Sequence, residues 1–475
     1  MEALTNVLVA IDDVVWGPWM CVFIMAVGLL LTCRLGVLQF RKLPLALKYM
    51  VGKEEGAAGE VSSFGALCTA MAATVGTGNI VGVATAVVAG GPGALFWMIL
   101  AACFGMATKY AEGLLAVKYR EEKPNGKILG GPFMYIEKGM GKQWKPLAKL
   151  FAIFGISAGL LGIGTITQVN GIATAVQGFF DPNMENTVHM FGLDYSIATV
   201  ATAIVVAILV ALVVVGGLQR IASVTTIVVP FMAIVYVVVC VCILIAHIDM
   251  IPYAVKEIIA GAFGLRAAAG GALGALMIAM QKGVARGIFS NEAGLGSAPI
   301  AAAAAQTREP VRQGLVSMTG TFVDTIVICA MTGLTIMVTG AYDAALANGL
   351  EGSQVTAYAF GNGLGWSSQM GSFVLMVCLA FFAFTTILGW DYYSERCFEY
   401  LTGKSGAALT AYRWVYVFAV LAGPFITVSA VWTLADICNG LMAIPNLIAL
   451  LALSGVVVKE TKDYFERLAD GRLSA

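Results

Sequence analysis

Charged residues are scarce in this sequence, and histidine is nearly absent. Only 12% of the 475 residues are Asp, Glu, Lys or Arg, whereas soluble domains average about 25%. The two histidines, His189 and His247, both lie near the ends of apolar segments. The low charge excludes an ordinary soluble protein, and two isolated histidines offer little for metal binding or for histidine-based catalysis.

Paired cysteine motifs and a basic leader are missing as well. The ten cysteines are scattered through apolar runs, and none forms a CxxC or another metal-ligand spacing, so we interpret them as small hydrophobic residues. Residues 1–17 lack the basic start of a signal peptide and carry Glu2, Asp12 and Asp13 instead. Their apolar residues recur at helical spacing, which predicts a short helix lying on the membrane surface.

Long apolar segments make up most of the chain. Hydrophobic residues account for 59% of it, with 55 glycines and a mean hydropathy of +0.86. A membrane-spanning helix needs about 20 apolar residues, and we predict eleven such helices. They cover residues 18–39, 64–90, 92–118, 148–178, 193–217, 222–248, 262–300, 312–341, 368–398, 410–432 and 436–458. The composition therefore indicates an all-α polytopic protein of the lipid bilayer.

Basic residues are distributed unevenly between the two sides of these spans. With the N-terminus outside, only Lys256 and Arg266 of the 28 Lys and Arg residues fall on the outer side. The remainder, with Lys282 and Arg286 of span seven, are assigned to the inner side. Since basic loops favour the cytoplasm, we predict an external N-terminus and a cytoplasmic C-terminus. No loop could hold a soluble catalytic domain, so we expect no enzyme, no nucleic-acid partner and no obligate protein partner.

Two of the predicted spans contain glycines and polar residues at membrane depth. Span two reads MAATVGTGNIVGVATAVVAGGPG over residues 71–93, with Gly76, Gly78 and Gly82 around Asn79. Span seven reads AAGGALGALMIAMQKGVARGIFSNEAGLGSA over residues 268–298. Its glycines are Gly270, Gly271, Gly274, Gly283 and Gly287.

These glycines have two interpretations. Pairs four residues apart, such as Gly78 and Gly82 or Gly283 and Gly287, allow close helix packing. Alternatively the helices break, which frees backbone groups that are tolerated only around a cavity with a polar occupant. Each segment begins a set of five spans, and two such sets of opposite orientation form an inverted repeat whose broken helices hold the ligand. Freed N–H groups favour a carboxylate and freed C=O groups a small cation, so a zwitterion and a cation would use both.

Four stretches resemble the alanine/glycine:cation symporter family, the sodium–alanine symporters of bacteria and archaea. They are TVGTGNIVGVATAVVAGGPGALFWM, GVARGIFSNEAGLGSAPIAAAAA, FAFTTILGWDYYSERCFEYL and DICNGLMAIPNLIALLALSGVV. The resemblance covers roughly residues 15–460. It implies a five-plus-five inverted-repeat core of the amino acid–polyamine–organocation type, preceded by one extra helix. The expected division is an N-terminal part (1–63), two repeats (64–248 and 249–458) and a cytoplasmic tail (459–475).

The resemblance also implies roles for residues of span two. The sodium-coupled neurotransmitter symporters share this fold, and the break of their first core helix is similar to Thr74–Asn79 of this sequence. By that similarity the substrate carboxylate binds the amides around Gly76, Thr77 and Gly78, and Asn79 contacts the substrate or braces the break. The carbonyls of Ala72 and Val75, together with the hydroxyls of Thr385 and Thr386, would bind sodium, a hard cation that prefers oxygen ligands.

Other site residues come with alternatives. The resemblance places Gln168 against the ligand, but an interhelical hydrogen bond is the other interpretation. Trp390, four residues after Thr386, either forms a wall of the pocket or packs in the core. Three apolar residues border the predicted break of span seven and would suit a methyl side chain: Leu276, Met277 and Met280.

Charged residues inside the spans are functional candidates. Asp324 serves coupling or gating, or pairs with polar groups of a neighbouring helix. Lys109 and Glu112 are spaced to pair with each other, and Asp436 is predicted to cap the last span. Arg286, Glu292, Glu395 and Arg396 lie toward the inner face, where a solvated rim is favoured over a gate of ion pairs.

The sequence as a whole predicts a symporter that imports a small neutral amino acid, alanine or glycine, with sodium. We expect it in the plasma membrane of a prokaryote. Proton coupling through Asp324 is the alternative within the same class. A channel would need a continuous polar lining, whereas the polar residues here concentrate at two segments, and an enzyme would need a reactive cluster that the spans lack.

Overall fold

A computed structural model of the protein describes residues 2–473 except 53, 55–56, 125, 191, 265–270, 405 and 427–428. Within these residues the α-helices are, in chain order, α1 (Glu2–Val15), α2 (Pro18–Arg34), α3 (Leu38–Arg41), α4 (Leu43–Val51), α5 (Ser63–Thr74), α6 (Val83–Gly90), α7 (Gly93–Lys118), α8 (Pro132–Met134), α9 (Lys145–Leu161), α10 (Ile166–Phe180), α11 (Ile197–Val214), α12 (Leu218–Ala246), α13 (Ile251–Ala262), α14 (Ala272–Asn291), α15 (Ala298–Ala303), α16 (Pro310–Thr321), α17 (Ala330–Val338), α18 (Ala341–Asn348), α19 (Ser353–Gly363), α20 (Ser368–Thr402), α21 (Ala407–Ala422) and α22 (Ser429–Ala469).

Other regular segments are short. The π-helical turns are Gly78–Gly82, Tyr135–Gly139 and Phe322–Cys329, and the 3₁₀ turns are Lys142–Trp144, Ile248–Met250 and Gly423–Phe425. Two antiparallel hairpins pair β1 (Glu121–Glu122) with β2 (Ile128–Leu129) and β3 (Thr187–Met190) with β4 (Leu193–Ser196). In the second hairpin Thr187 lies opposite Ser196.

The all-α membrane class is confirmed. In the described part of the chain nine helices are long and apolar enough to cross a membrane, or ten if the bent pair in span two is counted as one span. The region of predicted span seven, where α14 contains Lys282 and Arg286, is not among them. The count of eleven spans therefore stays a prediction. The helix expected over residues 1–17 is present as α1 and packs against α22.

The predicted break in span two is confirmed. Helix α5 ends at Thr74, and the chain beyond it turns by 53° before it continues through the π-helical turn Gly78–Gly82 into α6. Val75 and Gly76 lie outside any helix. The break therefore coincides with the sequence TVGTGN, where glycine lowers the stability of a helix.

The break in span seven lies elsewhere than predicted. Helix α14 runs without interruption past Leu276, Met277 and Met280 and ends only at Asn291. The chain then turns through Gly294 and Gly296, whose φ angles are +94° and +83°, before α15 begins. Since Met280 lies about three helical turns before this point, the apolar wall predicted at the break is not formed by these residues. Gly270 lies outside the described residues.

The glycines within α14 serve packing instead. A Cβ on Gly283 would overlap the carbonyl oxygen of Ala94 on α7, and one on Gly287 would lie 3.1 Å from Met98 Cγ. For these two glycines the close-packing interpretation is correct, because they let α14 and α7 approach.

Lys282 does not lie on the inner side of the membrane, where the sequence predicts it to lie. Its Cβ lies only 2.9 Å from where a Cβ on Gly90 would be, so it is level with the end of α6. In the predicted topology that end is external, and the inner assignment of Lys282 is therefore wrong. Arg286, one turn further along α14, lines one cavity with Lys282 and with Asp12 and Asp13 of the N-terminal helix, which the predicted topology places outside, so its inner assignment fails as well. Arg266, one of the two predicted outer basic residues, lies outside the described part.

Span four contains a third interruption, which the sequence did not predict. Helices α9 and α10 are separated by residues 162–165, although the hydropathy pattern is continuous. A Cβ on Gly164 would lie 2.7 Å from Trp390 Cβ, and the Gly164 carbonyl accepts a hydrogen bond of 2.8 Å from the Tyr416 hydroxyl. The interruption therefore brings α10 close to α20, beside the break in span two.

We expect Gly283→Ala to destabilise the protein, although alanine is the better helix former. The added methyl group overlaps the α7 backbone, and such overpacking costs about 1–3 kcal/mol. Thermal unfolding in detergent should show a midpoint lower by several degrees. Gly274→Ala on the same helix is the matched control, because a Cβ there has no atom within 4 Å; equal midpoints for both variants would contradict the packing role.

Candidate functional site

Asn79 holds the break of span two in shape. Its side chain is fully buried, and its Oδ1 accepts a hydrogen bond of 2.9 Å from the Gly76 N–H. In an unbroken helix that N–H would bond to the carbonyl of Ala72. The side chain thus replaces a backbone acceptor that the break has removed, and of the two roles predicted for Asn79 the structure contains the brace.

Asp324 connects the two interrupted spans. Its Oδ1 accepts 2.8 Å from Asn79 Nδ2, and its Oδ2 accepts 2.9 Å from Ser290 Oγ, near the end of α14. A third hydrogen bond comes from Thr325 Oγ1 at 2.7 Å. Asp324 is fully buried in the π-helical turn Phe322–Cys329. Pairing with neighbouring helices, one of the two predicted roles of Asp324, is therefore observed.

Gln168 on α10 reaches the same break from the other side. Its Oε1 accepts a hydrogen bond of 3.3 Å from the Thr77 N–H, and the side chain is buried. Gly171, one turn later, leaves room for Thr77, because a Cβ there would lie 2.8 Å from Thr77 Cγ2. The interhelical hydrogen bond predicted as one alternative for Gln168 is therefore formed, and it lies at the break.

The carbonyl side of the break faces α20. Thr386 Oγ1 lies 3.5 Å from the carbonyl oxygen of Val75, and a Cβ on Gly76 would overlap this hydroxyl. Glycine at position 76 thus allows Thr386 to reach the backbone. Ala72 is buried on the last turn of α5. Thr386 Oγ1 also donates 3.0 Å to the Phe382 carbonyl of its own helix. The contacts of Thr385 Oγ1 are to Phe381 and Phe382 of that helix and to Met232 Sδ, so of the two threonines only Thr386 is brought to Val75.

The break of span seven is built around two buried carboxylates. Glu292, with φ +56°, accepts a hydrogen bond of 2.9 Å from Trp390 Nε1 and one from the Ser297 hydroxyl. Glu112 of α7 accepts 3.1 Å from the Gly294 N–H. Trp390 therefore joins α20 to this break rather than lying free against a cavity.

The charges around the two breaks do not cancel. Glu112, Glu292 and Asp324 are buried acids, and Lys109 is the buried base among the described residues of this region. Lys109 Nζ lies 4.0 Å from Glu112 Oε2, as the pairing prediction expects. Because uncompensated buried charge is unfavourable, an excess of acids in a membrane protein favours a bound cation or a protonated carboxyl.

Two cavities lie on opposite sides of the break in span two. The wide cavity, of about 730 Å³, is lined by Thr77, Val81 and Thr85 of the π-helical turn and α6, by α10, and by residues 351–354. The narrow cavity, of about 20 Å³, is lined by α5 up to Thr74 and by parts of α7, α14, α15 and α16. The broken backbone therefore separates a wide cavity from a small one.

Several sequence interpretations need correction. Glu292, Glu395 and Arg396 are buried rather than part of a solvated rim, since Arg396 forms ion pairs with Glu395 at 3.0 Å and Glu399 at 2.5 Å. Asp436 is not a helix cap, because α22 already begins at Ser429.

The structure also contains site residues that the sequence did not predict. Ser290 and Asn446 support the breaks, and Asn446 Nδ2 donates to Glu112 Oε1 at 2.6 Å and to the Gly294 carbonyl. The sequence predicts Glu112 only as a partner of Lys109, not as the acceptor for the Gly294 N–H. The sequence signal for this break was present in NEAGLGS, where Glu292 precedes two glycines, Gly294 and Gly296, that are separated by one residue. The earlier glycines of span seven, which were predicted to mark the break, lie well before it.

The chain is similar to known proteins over nearly its full length. Residues 1–474 match the family model described as the sodium:alanine symporter family. An uncharacterized transporter of Haemophilus influenzae is 55% identical over 98% of this chain and 97% of its own. The sodium/alanine symporter AgcS of Methanococcus maripaludis is 47% identical over 96% of each chain. The probable sodium/glutamine symporter GlnT of Bacillus subtilis is 37% identical over 99% of this chain and 93% of its own.

Solved structures are also similar to this chain in fold. One of them is MhsT in complex with L-phenylalanine, with a TM-score of 0.52 at 14% sequence identity, covering 86% of this chain and 99% of that one. At this identity the match concerns the fold alone, which is the five-plus-five inverted repeat.

We expect that Asn79→Ala abolishes transport and lowers thermal stability, because the Gly76 N–H and one Asp324 oxygen lose buried partners. Asn79→Asp should be as damaging, since it places a second carboxylate directly against that of Asp324. The double variant Asn79→Asp with Asp324→Asn exchanges donor and acceptor and should recover part of the lost stability. Melting temperatures in detergent and alanine uptake measure these effects. Asn348→Ala is the control, because Asn348 is exposed and bonds only within α18; an additive double variant would contradict the pairing.

Proposed function

The chain belongs to the sodium:alanine symporter family, and on that premise we propose that it imports alanine or glycine together with sodium. It is a multi-pass membrane transporter, as the family and the fold require. The narrower statement, which names the substrate, the ion and the direction, is the proposal. It rests chiefly on one observation: the broken backbone of span two lies at the wide cavity, with a carbonyl on one side and amides on the other.

The sodium site of the proposal contains the Val75 carbonyl and the Thr386 hydroxyl, which are already 3.5 Å apart. The Ala72 carbonyl has lost its helical donor, because the Gly76 N–H bonds to Asn79 instead. Oxygen ligands of this kind suit a hard alkali cation. Thr385 would join them only after its hydroxyl turns away from its own helix. The excess of buried acids near the breaks favours a cation electrostatically.

The amino acid of the proposal binds where Gln168 now meets the break. Its carboxylate would accept hydrogen bonds from the amides around Thr77 and Gly78, as anions do at the start of a helix. Gln168 Oε1 then leaves the Thr77 N–H, and the side chain can donate from Nε2 to the carboxylate. Asn79 stays on Gly76 and Asp324 as a brace.

A small side chain fits this site better than a large one. Gly76 is covered by Thr386, and Thr77 is held against Gly171, so the backbone of the break is closely packed on its α10 and α20 sides, although the wide cavity begins at Thr77. Trp390 is buried behind it on Glu292. Alanine and glycine are therefore the proposed substrates, although one relative carries the name of a sodium/glutamine symporter. Inhibition of alanine uptake by excess glutamine would show that the site accepts larger side chains.

Coupling requires that sodium and substrate together favour the exchange of access between the two sides. Asp324 is our candidate for this role, because it bonds at once to Asn79 of span two and to Ser290 of span seven. A cation bound at Val75 acts on the same backbone that Asn79 supports. Each of the two proposed repeats, residues 64–248 and 249–458, supplies one of the two breaks that Asp324 connects, and their relative motion would open and close the cavities.

The orientation of the proposal has the N-terminus outside the plasma membrane and the C-terminus in the cytoplasm. The wide cavity, bordered by residues 351–354 of an acidic loop, then faces the exterior. The narrow cavity lies toward the side where basic loops concentrate. Import would begin from the wide cavity.

Reconstituted protein should accumulate alanine in proteoliposomes when a sodium gradient is imposed. A proton gradient of equal size without sodium should give no accumulation. Uptake that is indifferent to sodium would overturn the proposed coupling, and uptake driven by protons alone would replace it.

Thr386→Ala should raise the sodium concentration for half-maximal uptake about tenfold, because it removes one charged contact of the kind worth about 1.5–3 kcal/mol. Thr386→Ser keeps the hydroxyl and should be close to the unmodified protein. Thr402→Ala is the matched control on the same helix, since Thr402 bonds only to Phe398 and to the Lys404 N–H, at the end of α20. An unchanged sodium dependence in Thr386→Ala would remove this residue from the site.

A further inference from the structure

The narrow cavity is lined by polar atoms that the fold leaves without partners. Lys109 Nζ, Glu112 Oε2, Gln313 Oε1 and Thr321 Oγ1 are buried and make no hydrogen bond within the described part of the chain. All four residues are at most 3% exposed. Unsatisfied polar groups in an interior cost about 1–3 kcal/mol each, so four around one cavity indicate a site for a polar occupant.

The cavity lies directly beyond both breaks. Thr74, the last residue of α5, and Asn291, the last residue of α14, line it. The wide cavity lies on the other side of the broken backbone, at Thr77. A molecule that leaves the break on the side away from the wide cavity therefore meets Lys109 and Glu112 next.

We propose that the narrow cavity is a second binding site for the transported amino acid, occupied on its way to the cytoplasm. Lys109 Nζ would bind the carboxylate and Glu112 Oε2 the ammonium group of the zwitterion, with Gln313 Oε1 as a second acceptor for the ammonium group. This inference rests on the proposed function, because it concerns the release of the same substrate.

The arrangement of charges favours a zwitterion over a simple ion. Lys109 Nζ and Glu112 Oε2 lie 4.0 Å apart, so a lone anion at Lys109 would be repelled by Glu112, and a lone cation at Glu112 would be repelled by Lys109. An α-amino acid has both charges at a similarly short separation. It satisfies Lys109 and Glu112 at once, and because it carries no net charge it leaves the net charge of the site unchanged.

The cavity is too small for an amino acid in this structure. A volume of about 20 Å³ holds about one water molecule. Many of its lining residues are nevertheless small, and the larger apolar ones include Leu67 and Met71 of α5; the small ones are Ala66, Ala70, Gly113, Ala298, Ala302 and Gly320. Helices with small residues at their contact can separate without moving large side chains. The site therefore forms when α5 and α15 move away from α7 and α16, as the wide cavity closes.

Cysteine protection tests this site directly. Ser317 lines the narrow cavity, and Ser317→Cys introduces a thiol of similar size. A membrane-impermeant methanethiosulfonate reagent is applied from the cytoplasmic side of oriented vesicles, with L-alanine at rising concentration on the same side. The unmodified protein, which has ten cysteines of its own, gives the background. We expect labelling without alanine and concentration-dependent protection with it.

Thr85→Cys in the wide cavity is the matched control. This cysteine should be labelled from the external side only. Alanine on the cytoplasmic side should not protect it from the reagent by occupying the same cavity. In the Ser317→Cys background, Lys109→Met should raise the alanine concentration for half-protection about tenfold. Lys109→Arg keeps the charge and should preserve protection.

Two outcomes would overturn the inference. One is labelling of Ser317→Cys that alanine does not reduce, which leaves the cavity as a water site. The other is no labelling from the cytoplasmic side at all, which shows that the cavity does not open. Uptake by the unmodified protein distinguishes failure of the second site from failure of the proposed function. If the proposed function is wrong, the unmodified protein takes up no alanine with sodium. Sodium-driven uptake together with an unprotected cysteine overturns only the second site.

Discussion

A helix cannot be interrupted inside a membrane unless its freed backbone groups find other partners. The rest of this structure depends on that constraint. At the first break Asn79 and Gln168 accept the N–H groups that the helix no longer uses, and Thr386 lies against a freed carbonyl. At the second break Glu112 accepts the N–H of Gly294. The polar residues that distinguish this chain from a simple bundle of apolar helices are therefore the partners of its backbone.

The two breaks are not independent of each other. Asp324 bonds to Asn79 on one side and to Ser290 on the other, and all three side chains are buried. Buried polar networks act as units, because a partly satisfied network is strongly unfavourable. A ligand that alters the first break thus changes the free energy of the second. This provides a physical route for coupling without a separate regulatory element, since the site and the moving parts share hydrogen bonds.

The sequence predicted the class of protein, the first break and its main residues, and a second break in span seven, but not the position of that second break. Hydropathy and charge are local properties, and three glycines together with Asn79 in an apolar run are unfavourable in a helix that only spans lipid. Gly283 and Gly287 looked similar, yet their role is decided by α7, which passes against them. The prediction that Glu292 lies in a solvated rim was also wrong because of a contact from another helix. Burial of an acid depends on a distant partner, here Trp390, which a pattern along one helix does not contain.

The tight packing of α14 on α7 makes span seven mechanically asymmetric. Its first half cannot slide or rotate far on α7, because Gly283 leaves no space between the two backbones. Its second half, the short α15, is attached through the non-helical residues 292–297 and contacts α5 through alanine-rich surfaces. The span therefore has a first half fixed on α7 and a short second half that is buried and held at its end by hydrogen bonds from Arg120 to the carbonyls of Ala303 and Ala305. If the two halves of this span move relative to each other, the non-helical residues 292–297 are the hinge, and the hydrogen bonds of Arg120 at the end of α15 are what such a motion has to break.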